Sequence, residues 1–158
     1  MLSFIIAVPF VEIFGVMAGL VKNEAFFFGI NFLMFAEGAI ILVLLLGTLG
    51  RNERRSHSLL WVGISTFLFL LWYVPDLVTL AAGNAGFFVL MNLSSLVSGG
   101  LIGAAFVPLK NNARTILLEY VSMMFSMTGI VLLYAASFNI LIWNAFTLES
   151  QYYLAIIL

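Results

Sequence analysis

The chain has 158 residues, 64% of them hydrophobic and 8% charged, with a formal net charge of −1 and a mean hydropathy of +1.19. This composition suits a chain dissolved in lipid and excludes an ordinary water-soluble domain. The balanced charge offers no footing for nucleic acid, and the absence of cysteine excludes disulfides, thiolate clusters and thiol catalysis.

A bilayer core about 30 Å thick takes roughly 20 apolar residues per helix, so a chain of this length with short loops crosses five or six times. Backbone groups in hydrocarbon must pair within a segment, and the unbroken apolar runs lack the two-residue alternation of a barrel. The expected fold is all-α: one polytopic transmembrane helical bundle over residues 1–158, with five to six spans and no soluble domain.

Polar breaks at "KNE" (Lys22 to Glu24), "RNERRSHS" (Arg51 to Ser58), "GN" (Gly83 and Asn84) and "KNNAR" (Lys110 to Arg114) separate the crossings. Helices are predicted near 2–21, 25–49, 59–82, 85–109 and 115–136. The first lacks a basic leader and a small-residue cleavage site, so it reads as a retained helix, not a signal peptide. The tail, 139–158, is long enough to span but carries Asn139, Asn144, Glu149, Ser150 and Gln151. It reads either as a sixth crossing or as an interfacial or re-entrant segment anchored by Trp143, Tyr152 and Tyr153. Its ending on "AIIL" without a polar flank suggests a terminus packed in a complex or a truncated sequence.

Five of the six Lys and Arg residues lie in the second and fourth loops. Positive charge marks the cytoplasmic side, so loops 51–58 and 110–114 and the N-terminus are expected there, in the plasma membrane of a prokaryote. A shift of 61 residues lays "NEAFFFGINFLMFAEGAI" from Asn23 over "NAGFFVLMNLSSLVSGGL" from Asn84, matching Asn23, Phe26, Phe27, Asn31 and Gly38 with identical residues. Asn144 falls a further repeat on. Tandem hairpins would produce this pattern, and so would chance within the small alphabet of membrane helices.

Close helix approach in lipid relies on small residues. Gly15 and Gly19 in the first helix and Gly99 and Gly103 in the fourth have GxxxG spacing, the latter extended backwards by Ser95 and Asn92. Ser122, Ser126 and Gly129 give the fifth helix a similar stripe. These are predicted packing seams within the bundle or between copies.

Glu12 and Glu37 come out near the midplane on consecutive antiparallel helices, at depths differing by about one helical turn. Glu12 shares a face with Gly15 and Gly19. Asp76, after Pro75, is expected nearer the outer surface, and Glu119 near headgroups or Arg114. Every basic side chain is placed in a loop, so buried acids must stay protonated, share a proton or cation, or meet a base from another chain. Glu12, Glu37 and Asp76 are therefore the candidate proton or cation site. The alternative is a structural carboxyl that only hydrogen-bonds its neighbours.

One histidine, His57, in a basic loop, and no catalytic or metal-spaced cluster argue against an enzyme, a metal centre or a cofactor. Trp72 and Tyr73 are read as an interfacial aromatic belt ahead of a quinone pocket. Two classes remain. The first is a non-catalytic subunit of a larger energy-transducing or transport complex, whose other membrane subunits complement the acids. The second is a small proton- or cation-coupled transporter or channel, working as a homo-oligomer. Size and missing ligands favour the subunit; clear repeats or broken helices would favour the transporter.

Overall fold

The computed structural model describes residues 23–48 and 58–158. Six helices occur among them: α1 (Glu24–Thr48), α2 (Ser58–Leu71), α3 (Pro75–Gly83), α4 (Ala85–Phe106), α5 (Asn111–Ser137) and α6 (Leu148–Ile157). No strand occurs among the described residues. Three helices, α1, α4 and α5, are long and apolar enough to cross a membrane, and the count reaches four if the bent pair α2–α3 forms one span. This architecture is compatible with an integral membrane protein. The expected helix 2–21 lies outside the described residues.

The predicted helix 59–82 is two helices meeting at 65°. Pro75 has no N–H to donate, and its ring forces Val74 into an extended conformation (φ −66, ψ 127), so the helix stops at Leu71 and restarts on the proline. The break leaves the Tyr73 carbonyl without a helical donor, and the Trp143 indole Nε1 donates to it at 3.1 Å. Trp143 is therefore buried, not a headgroup anchor, whereas Tyr152 and Tyr153 are exposed. Trp72 is also buried, and Tyr73 stacks against Phe28 at 5.3 Å, so these two belong to an aromatic core and not to an interfacial belt.

Other boundaries move for identifiable reasons. The helix expected to reach residue 109 ends at Phe106, two residues before Pro108, and Arg114 donates from Nη2 to the released Val107 carbonyl at 2.8 Å. The following helix starts at Asn111 instead of 115, because the polar "NNAR" run forms its first turn. It ends where Asn139 adopts a positive φ of 58, with Ile140 N–H donating to Ala135 O at 2.9 Å and Asn139 N–H to Ala136 O at 3.0 Å. This C-terminal motif reverses the chain. Residues 139–158 are consequently not one continuous crossing. An irregular stretch leads to α6, whose ten residues extend about 15 Å, half the hydrocarbon thickness. A Thr147–Ser150 capping box starts α6.

α1 and α4 form the most extensive helix pair; α2 and α3 pack on α4, and α6 wedges between α5 and α1. The contacts of α1 with α4 come in couples that exchange under the 61-residue shift. Gly38 lies against the Leu96 carbonyl, and Gly99 against the Phe35 carbonyl; Gly103 faces Ala39, and Gly100 faces Leu42. Phe27 meets its own equivalent, Phe88, with ring centroids 5.2 Å apart. The helix starts match as well. Asn23 Oδ1 accepts from Phe26 N–H at 3.2 Å, and Asn84 Oδ1 accepts from the equivalent Phe87 N–H at 3.4 Å.

These contacts relate α1 and α4 to each other by an approximate two-fold along the helices; the relation does not carry α2 onto α5, since α2 packs on α4 whereas α5 makes no comparable packing on α1. α1 and α4 thus run parallel, with side chains shorn at the crossing. The third repetition fails: Asn144 lies in the loop before α6, and Thr147 caps that helix instead.

Candidate functional site

Three of the eight buried polar side chains among the described residues, Asn31, Asn92 and Ser95, lie in the α1–α4 seam. Going down from the Asn23 and Asn84 caps, Phe27 and Phe88 close the top, Asn31 and Asn92 follow one turn later, and the glycine crossing lies beneath. Asn31 Nδ2 donates to Ser95 Oγ at 2.6 Å, and Asn92 Nδ2 donates to the Phe88 carbonyl at 3.0 Å. Both asparagines are essentially inaccessible, at 1% and 0% exposure, and each leaves its Oδ1 without a hydrogen-bond donor among the described residues. Placing such an oxygen in an apolar surrounding costs about 1–3 kcal/mol.

The predicted packing residues have distinct positions. Ser95, Gly99 and Gly103 share the α4 face turned to α1, with Gly99 and Gly103 against Phe35 and Ala39. Gly15 and Gly19 lie outside the described residues. The next α4 face engages α2, where Ser65 Oγ donates to Ser98 O and Ser98 Oγ to Ser65 O, both at 2.8 Å. Gly129 of α5 packs against α6 at Ala155 and Leu158.

Of the three acids expected to form a proton or cation site, Glu37 is buried on α1, 4% exposed, and its Oε1 has no partner among the described residues. It stands on the flank of the seam about 9 Å deeper than Asn31. Glu12 lies outside the described residues. Asp76 is exposed in the first turn of α3, beyond the Pro75 bend, where a helix N-terminus favours a carboxylate. The kink is level with Phe28 and Phe32, which stack on Tyr73, so the structure does not bring Asp76 to Glu37. Glu119 is exposed, and Arg114 is directed to α4 carbonyls instead.

Sequence reasoning missed Glu24 and Gln151. Glu24, assigned to a polar loop, is fully buried in the first turn of α1; its Oε2 accepts from Ser150 Oγ at 3.4 Å and its Oε1 is unpartnered. Gln151 is fully buried too. Its Oε1 accepts from Ile142 N–H at 2.8 Å, and its Nε2 donates to Ile140 O at 3.0 Å and Leu132 O at 3.4 Å. The capping-box spacing of Thr147 and Ser150 was the one sequence signal near either residue.

Chemically, the seam offers neutral amide and hydroxyl oxygens and one carboxyl. Among the described residues no three His, Cys, Asp or Glu side chains cluster. Such a set can hold a proton, a cation or a hydrogen-bond donor. No known protein family, characterised protein or solved structure matches the chain.

Proposed function

We propose that this chain is a small membrane transporter for protons or a monovalent cation, with Glu37 as the group that carries the coupled charge. The observation that carries this reading is the two-fold α1–α4 pair with unpartnered oxygens inside it. Transporters built from parallel repeats place their polar sites at the repeat interface and use broken helices to rearrange around them. The exchange-related contacts of α1 with α4 and the 65° break at Pro75 resemble these two features, and so favour transport over the subunit role that size and missing ligands suggested.

In this reading the bundle has five crossings, α2–α3 serving as one and residues 2–21 as another, with α6 as a half-depth segment. Loops 51–58 and 110–114 face the cytoplasm, because their arginines and lysines resist translocation. The caps Asn23 and Asn84 then face outward, and the Phe27 and Phe88 rings close the seam above the asparagines on that side.

A second reading, a non-catalytic subunit of a larger membrane complex, is favoured by α5. Only 17% of its apolar stretch is buried, so most of this long helix is available to a partner helix.

Reconstitution separates the two. Purified in mild detergent and placed in liposomes, the chain alone is expected to dissipate a proton or sodium gradient. Glu37→Gln keeps the shape of a neutral carboxyl, so it should fold normally and lower that flux by about tenfold or more. A pure, folded wild-type chain that moves neither ion, or one stable only with co-purifying membrane subunits, would transfer the conclusion to the subunit.

A further inference from the structure

We infer that Asn31 and Asn92 form a binding site for a monovalent metal cation on the local two-fold axis between α1 and α4. The inference deepens the transport reading and rests on it for its physiological meaning, though the site itself stands on geometry.

Both residues occupy equivalent positions on the exchange-related helices α1 and α4 and lie between two fixed points of close approach. Above them, the Phe27 and Phe88 rings are 5.2 Å apart; below them, Gly99 meets the backbone of Phe35 and Gly38 that of Leu96. The hydrogen bond from Asn31 Nδ2 to Ser95 Oγ ties Asn31 to α4 one turn below Asn92, so the two side chains share one compartment. Paired asparagines at such a seam could bond each other, but here each NH2 group is engaged elsewhere, with Ser95 and with the Phe88 carbonyl. The two amide oxygens are left without donors among the described residues.

Two buried amide oxygens without donors, beside the Ser95 hydroxyl oxygen that already accepts from Asn31, make a neutral, oxygen-rich set. Hard cations take such oxygen ligands. A divalent ion would require carboxylates in the shell, and none is present at this level among the described residues. A single positive charge is matched by one carboxyl, and Glu37 supplies it about two turns deeper on α1. Glu37 stands on the flank of the seam, about 9 Å deeper than the asparagines.

The test is a melting titration of the full chain in detergent, replacing choline chloride with sodium chloride at constant ionic strength. Melting temperature should rise saturably with sodium, as mass action requires for a ligand of the folded state. Asn92→Asp should lower the sodium midpoint roughly tenfold, since it adds a charge directly to the shell. Asn92→Leu should remove the sodium dependence; if that variant does not fold, the wild-type and Asn92→Asp titrations decide. A melting temperature indifferent to sodium, lithium and potassium overturns the site and leaves only a bridging water there. So does a sodium response that survives in folded Asn92→Leu. Sodium-dependent melting without flux in liposomes would keep this site and remove the transport reading; flux without sodium-dependent melting would do the reverse.

Discussion

Gly99→Ala should destabilise the protein by about 1–3 kcal/mol, a large effect for one added methyl group. A Cβ built on Gly99 falls well inside contact distance of the Phe35 carbonyl, and backbone atoms cannot swing aside as a flexible side chain would. Gly38→Ala should behave alike, because its Cβ meets the Leu96 carbonyl in the exchange-related contact. Gly29 and Gly47 lie on the same α1 helix with nothing within 4 Å of an added Cβ. Alanine there should be neutral or slightly stabilising, by up to about 1 kcal/mol from helix propensity. Thermal or denaturant melting in detergent compares the four variants directly. Equal effects at all four positions would mean that α1 and α4 do not approach through glycine.

Gln151→Leu should cost about 2–4 kcal/mol, although leucine matches the site's greasy surroundings better by composition. Glutamine holds three backbone groups there: the Ile142 N–H and the Ile140 and Leu132 carbonyls. The Ile142 N–H has no helical alternative, since it sits in the irregular stretch between α5 and α6. Losing the side chain takes partners from the part-buried Ile142 N–H and Ile140 carbonyl and from the buried Leu132 carbonyl, at up to about 1–3 kcal/mol each, partly offset by leucine's own burial. Gln151→Glu retains an acceptor for Ile142 but loses the two donated bonds, so it should fall between wild type and leucine. Protease susceptibility within 138–147 reads the expected loosening; a leucine variant as resistant as wild type would mean that the loop is held by its aromatic contacts alone.

Much of the helical framework was legible because long apolar runs between charged breaks leave few alternatives in lipid. What escaped was set by contacts remote in sequence. Pro75 announced a kink, but residues 59–82 are uniformly apolar, and nothing in composition states that three residues leave the helix or that Trp143 will occupy the freed carbonyl. Asn139 looked like one more polar residue in a span; its left-handed conformation is what stops α5. Gly99 and Gly103 carry a visible spacing, whereas their partners Phe35 and Ala39 carry none, so the seam was apparent on one helix only. The 61-residue shift was ambiguous as a string and became informative once Gly38 and Gly99 exchanged partners.

The site shows the same division. Glu37 was conspicuous because a carboxyl in an apolar run is expensive wherever it points. Glu24 was hidden for the opposite reason, since "KNE" is an ordinary loop string, and Ser150, the residue that faces it, is 126 positions away. Asn31 and Asn92 were visible as repeat matches, but their chemistry depends on which atoms the surrounding helices leave without donors. Sequence supplies the residue type and the depth; only packing supplies the unmet valence.

The claim on which the rest depends is that α1 and α4 face each other as exchange-related equivalents. The chain has no cysteine, so Phe27→Cys with Phe88→Cys can be introduced as the sole thiols and oxidised in the membrane. The pair replaces rings whose centroids are 5.2 Å apart and should form an intramolecular disulfide rapidly. Leu33→Cys with Leu93→Cys, at exposed positions on the two helices, should not. Fast cross-linking of the Leu33 and Leu93 pair, with none between positions 27 and 88, would contradict the α1–α4 pairing and the site built upon it.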